Sequence, residues 1–86
     1  MKYEIRFSGK AEKQILRLDP PVADRIRLLI NGVNLSNPRS SGKALQDSNL
    51  WAYRAGDYRV LASIQDDVLL ILLVEVGHRS RIYKPR

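Results

Sequence analysis

The chain reads as an α+β protein of element order β-α-α-β-β-β, a largely antiparallel sheet with a helical hairpin on one face. Apolar residues recur at helical spacing between residues 9 and 33. From residue 50 onward the pattern changes to alternation and short apolar runs, punctuated by Gly56-Asp57 and Asp66-Asp67. Eighty-six residues leave room for one core, so residues 1–86 are expected to form a single domain.

Each element follows from local chemistry. Lys2 to Phe7 alternates, with Tyr3, Ile5 and Phe7 on one face and Lys2, Glu4 and Arg6 on the other. Ser8 is an N-cap for a helix through Lys10 to about Leu18, with Ala11, Ile15 and Leu18 on its apolar stripe. Asp19-Pro20-Pro21 stops that helix and starts the next, because proline is accommodated in a first turn and not in a helix interior. The second helix is expected from about Pro21 to Val33, its stripe being Val22, Ile26, Leu29, Ile30 and Val33. Residues 36–42 are a loop by composition. Leu50 to Arg54 is then a strand, Ala55 to Asp57 a turn, and Tyr58 to Gln65 a strand. Asp66-Asp67 is a tight turn into a last strand, Val68 to Val76. That strand is apolar on both faces, as a central strand is.

Composition narrows the function classes. Without cysteine there is neither a disulfide nor a thiolate ligand or nucleophile, which suits a reducing cytoplasm. One histidine, His78, leaves little scope for Ser-His-Asp or multi-histidine zinc chemistry. The first residues lack the apolar centre of a signal peptide, and the Val68–Val74 run is too short to span a bilayer. A soluble, cytoplasmic protein with no membrane partner is expected. The net charge of +6 invites an anionic partner such as nucleic acid. Charge is spread over both halves, but the tail from Gly77 carries Arg79, Arg81, Lys84 and Arg86 with no acid.

These cations converge on one place. Arg54 ends one strand and Arg59 begins its partner across the Gly56 turn, while Arg79 and Tyr83 follow the neighbouring central strand. Arg59 alternates with Val60, so it faces away from the helices if Val60 and Ala62 pack beneath them. The open face is then a shallow basic groove. Arginine suits it because its planar fork holds a phosphate by two hydrogen bonds and keeps its charge at any relevant pH. Trp51, Tyr53, Tyr58 and Tyr83 interleave with these cations and are able to stack on splayed bases. For Trp51, Tyr53 and Tyr58 ordinary sheet packing is the plainer reading.

The segments Gly42-Lys43-Ala44-Leu45, Leu50 to Leu61, Val76-Gly77-His78-Arg79 and Ile82-Tyr83 together resemble the RelE/ParE superfamily of toxins, and more closely RelE. The likeness spans essentially the whole chain. Gly56-Asp57-Tyr58-Arg59 and Val76-Gly77-His78-Arg79, at their mutual spacing, are its most specific parts. The resemblance implies a RelE-like fold and a toxin that cuts mRNA in the ribosomal A site. The RNA's own 2′-hydroxyl would attack, leaving a 2′,3′-cyclic phosphate, with no metal and no organic cofactor. It implies as partners the mRNA, the ribosome with its small-subunit rRNA, and a RelB-like antitoxin that covers part of the open face and the tail. The free toxin is expected to be a monomer. By the same resemblance Arg59 stabilises the phosphate in the transition state, Arg79 stabilises charge and helps protonate the leaving oxygen, and Tyr83 orients the nucleotide. Lys43, Arg54 and Arg81 are implied as RNA contacts.

At one position the chain departs from that pattern. Where RelE has a basic residue thought to act as general base, this chain has Ala52, and a methyl group takes no proton. Three explanations stay open: phosphate stabilisation by arginines alone, a base supplied by His78 or another group, or a change to alanine that makes a toxic protein expressible. Two other functions share the fold. One is ParE-type inhibition of DNA gyrase; the other is a weakened or inactive relative that mainly binds its antitoxin.

Overall fold

The computed structural model describes residues 2–46 and 48–78. Its elements are β1 (Glu4–Phe7), α1 (Gly9–Leu16), α2 (Pro20–Asn31), β2 (Lys43–Ala44), β3 (Leu50–Ala55), β4 (Tyr58–Gln65) and β5 (Leu70–His78). Short 3-10 turns occupy Pro38–Ser41 and Asp66–Val68. The five strands form one sheet in the order β1-β5-β4-β3-β2. β1 runs parallel to β5, and every other pairing is antiparallel. The helices cover one face, as the periodicity requires.

Ser8 caps α1 as expected, its Oγ accepting from the Ala11 amide at 3.0 Å. The same hydroxyl donates to the Val74 carbonyl at 3.0 Å, and the Val76 amide donates to Gln14 Oε1 at 2.6 Å. β1 ends opposite Leu73, so α1 satisfies the β5 edge where strand pairing stops. α1 closes at Leu16, two residues earlier than its stripe suggests. Arg17 and Leu18 tighten into bonds to the carbonyls three residues back, the usual way a helix end frays. α2 starts at Pro20, with both prolines in its first turn.

The core joins Ala11, Ile26, Ile30 and Val33 of the hairpin region to Tyr53, Val60, Ala62, Ile71, Leu73 and Val76 of the sheet. Ile26 and Ile71 are fully buried. Each contributes on the order of 1.5–3 kcal/mol of transfer free energy. The exposed Arg27–Asp24 pair on α2, at 3.3 Å, is worth well under ~1 kcal/mol. The apolar stripe, not surface pairing, holds the helices down.

α2 likewise ends early, at Asn31 rather than Val33, and further local features differ from the sequence reading. β2 was not foreseen: two residues after a glycine are too few to show alternation. The last strand begins at Leu70 rather than Val68, because Asp66–Val68 form a 3-10 turn that ends on Leu69 in the left-handed region at φ 50°. Val68 is consequently exposed. A β-bulge between Leu61 and Ala62 also shifts the register of β4 against β5.

Tyr53 is the largest fully buried side chain. Its hydroxyl donates to the Pro38 carbonyl, and burial raises its pKa. Tyr53→Phe leaves that carbonyl without its partner and is expected to cost about 1–3 kcal/mol, read as a lower midpoint at unchanged slope in urea unfolding.

A second tie crosses the fold on the surface. Arg39 grips Asp66 through two bonds, of 3.0 and 2.9 Å, and Tyr3 donates its hydroxyl to the same carboxylate. The Arg39 and Tyr3 hydrogen bonds hold the Asp66 pKa below its ordinary 3.8. A carboxyl depressed by folding stabilises the native state above its unfolded pKa and loses that contribution as pH falls through the folded value. Wild type is therefore expected to melt slightly above Asp66→Asn at neutral pH, with the gap closing below about pH 4.

Candidate RNA-cleaving groove

The β3–β4 ladder sorts its side chains by face. Tyr53 pairs with Val60 on the helix side, so Ala52 with Leu61 and Arg54 with Arg59 point the other way. Lys43 lies directly opposite Ala52 on the outer strand and shares that face. A cavity of 230 Å³ opens there, lined by Ser41, Gly42, Lys43, Leu45, Ala52, Arg54 and Arg59. Among the described residues three cations line it, and none of those lining it is acidic.

The glycines set this geometry. Gly56 adopts φ 60°, the left-handed conformation a two-residue hairpin turn requires, and thereby places Arg54 against Arg59. Arg54 Nε and Arg59 Nη1 each donate to the Gly56 carbonyl at 3.2 Å, and Arg59 Nη1 also reaches the Tyr58 carbonyl at 3.3 Å. Like charges directly opposite on a ladder repel. A bound anion would relieve that repulsion, so the pair favours a phosphate. At Gly42 a Cβ would meet the Tyr53 ring at 3.0 Å. Any larger residue would have to push the buried Tyr53 ring aside for the chain to pass this close and lay Lys43 along β3.

Of the residues singled out in the sequence, Lys43, Arg54, Arg59 and Ala52 come together. Arg79, Arg81 and Tyr83 lie outside the described residues, as does the rest of the basic tail. His78 stands opposite Tyr58 in the β4–β5 ladder, their rings meeting edge-on at 5.4 Å. Tyr58 packs against the core, which puts His78 across the sheet from the arginine pair and disfavours it as the missing base. Tyr53 and Tyr58 are packing residues, as the plainer reading held. Ser41, Gly42 and Leu45 were not anticipated as lining residues, since their place depends on the unforeseen β2. Among the described residues no cluster of three His, Cys, Asp or Glu side chains is arranged to hold a metal. No described helix is long and apolar enough to cross a membrane.

Comparison with known proteins agrees with this fold. Residues 5–83 match the family model for the ParE toxin of type II toxin–antitoxin systems. Two curated Mycobacterium tuberculosis proteins are similar over nearly their whole length. Toxin RelG is 28% identical over 98% of this chain and 99% of its own, and toxin RelE is 29% identical over 95% and 87%. Among solved structures, the toxin–antitoxin complex RelBE2 of M. tuberculosis superposes with TM-score 0.80 at 26% identity, covering 92% of this chain and 100% of that one. The isolated E. coli RelE toxin superposes with TM-score 0.75 at 22% identity, over 94% and 90%, a likeness of fold.

Proposed function

Because the chain belongs to the RelE/ParE superfamily and is a RelE-family toxin of a type II toxin–antitoxin system, we propose that it arrests translation by cutting mRNA in the ribosomal A site. The observation that carries this reading is the cavity that Lys43, Arg54 and Arg59 line together, with no acid among its described lining residues. Such a site suits a dianionic, pentacoordinate phosphate, whose charge grows as the reaction proceeds.

In this reaction the 2′-oxygen of one nucleotide attacks its own 3′-phosphorus while the bond to the next 5′-oxygen breaks. A 2′,3′-cyclic phosphate and a 5′-hydroxyl result. The attacking hydroxyl gives up its proton to a base, and the departing oxygen takes one from an acid. Arg59 holds the phosphoryl oxygens with its fork, Arg54 and Lys43 hold flanking phosphates, and Arg81 adds a further backbone contact. Arg79 neutralises charge at the leaving oxygen, and Tyr83 orients the nucleotide. Electrostatic stabilisation by the arginines is the largest contribution; Ala52 supplies no base, so the proton of the attacking hydroxyl passes to solvent water. A RelB-like antitoxin covers this face and keeps the toxin silent; the M. tuberculosis relative is likewise found in a toxin–antitoxin complex.

Primer extension on mRNA translated in the presence of purified protein tests the reading. Cuts inside codons at the A site are expected. Inhibition of DNA supercoiling without cuts would establish a gyrase poison instead. The Ala52 side chain favours one further reading, an antitoxin binder with little catalysis, for which neither assay responds.

A further inference from the structure

The β2–β3 ribbon has a cavity on each side. Lys43 and Ala52 form one rung and line the cationic groove. Ala44 and Trp51 form the next rung and line a second cavity of 470 Å³, with Arg39, Ser48, Asn49 and Ser63 around them. Alternation turns Trp51 to the face opposite Ala52. The two sites are thus back to back across a ribbon only two rungs long, at the edge of the sheet.

The second cavity differs in chemistry from the first. The Arg39 guanidinium sits over the Trp51 ring, 5.6 Å from its centroid. Its charge is already matched by the two bonds to Asp66, so it acts as a fixed plane rather than as a phosphate clamp. Ser48 and Asn49 bring hydroxyl and carboxamide groups that both donate and accept. A half-buried indole beside polar groups of both kinds matches an unpaired base, which offers a π-face to stack and a Watson–Crick edge to bond.

We propose that this cavity is a nucleobase subsite, in which a base flanking the bound phosphates leaves the groove round the β2 edge and stacks on Trp51. The inference deepens the ribonuclease reading above and rests on it. Trp51 and Arg54 are three residues apart on β3, roughly 10 Å, a reach of one or two nucleotides of extended strand. A single-stranded polyanion is the occupant that fits. The neighbouring cavity is cationic, the chain carries +6, and a duplex would keep its bases stacked and out of reach. Asn49 is the specificity-determining side chain, because its amide distinguishes bases by the order of donor and acceptor.

Trp51 is the only tryptophan in the chain, so its fluorescence reports the subsite directly. The purified toxin is titrated with a trinucleotide whose 2′-hydroxyls are methylated against cleavage and whose 3′ end carries a fluorescein. Tryptophan quenching is expected to saturate together with the rise in fluorescein anisotropy. Trp51→Phe should bind within about threefold of wild type, and Trp51→Ala about tenfold more weakly, the size of one lost stack. Asn49→Ala, a surface change that leaves folding intact, should flatten the preference among the four bases. Rising anisotropy without quenching, with Trp51→Ala binding as wild type, overturns the subsite and leaves the phosphate groove standing. Absence of any trinucleotide binding also overturns it, and A-site cleavage then judges the ribonuclease reading separately. Quenching by an antitoxin peptide but not by RNA makes this a peptide pocket and overturns the base assignment.

Discussion

Arg59→Ala is expected to lower mRNA cleavage by about two to three orders of magnitude, the usual loss when a charge-assisted contact to a developing oxyanion is removed. The fold should not suffer. Arg59 lies on the open face, and its described bonds are to turn carbonyls; removing it empties no core space. Because Arg54 lies directly opposite, losing one of two like charges should leave the melting temperature level or raise it slightly. Arg59→Lys separates charge from geometry. An ammonium keeps the charge but cannot grip a phosphate with two parallel bonds, so it should recover only part of the rate. Arg54→Ala and Lys43→Ala should act mainly on the affinity for RNA and weaken its salt dependence. Arg79→Ala is expected to match Arg59→Ala, on the strength of the resemblance. Unchanged cleavage by a folded Arg59→Ala protein would remove the basis of the phosphate assignment.

Much of this site was legible in the sequence because it depends on local rules. The hairpin turn at Gly56 aligns Arg54 with Arg59, and alternation with Val60 decides their face; both follow from short-range chemistry. Helix starts were legible for the same reason, through Ser8 and Pro20-Pro21. What escaped depends on contacts between residues distant along the chain. β2 has two residues, and only its pairing with Ala52 and Trp51 makes it a strand. Its presence turns a flat basic face into a cavity and creates a second one behind it. The Tyr3–Asp66–Arg39 tie spans 63 residues between its ends, and no local pattern marks it. The φ of Leu69 was equally hidden, since leucine is no signal for a left-handed residue.

Ala52→Lys is expected to raise cleavage by about two to four orders of magnitude if a missing general base limits the natural rate. Ala52 points into the groove beside Arg54 and Arg59, opposite Lys43, and next to the buried Leu61 in the ladder. The cavity of 230 Å³ is several times the ~30 Å³ that a water occupies in the liquid. A lysine stem can therefore run along Leu61 and Leu45 with its nitrogen among the cations. Those like charges push the lysine pKa down, toward the range where the neutral amine removes a proton from the 2′-hydroxyl. The sign is testable. Cleavage by Ala52→Lys should climb with pH through that lowered pKa, whereas a protein with alanine here lacks this limb. Ala52→Arg adds a cation that stays protonated, and should strengthen RNA binding with little gain in rate. Ala52→Met fills similar space without charge and should change neither. Growth arrest, cleavage rate and melting temperature are measured for all three. A lysine variant that melts lower and cuts no faster would mean that Ala52 is only a small sheet residue, and that the base, if the reaction uses one, comes from elsewhere.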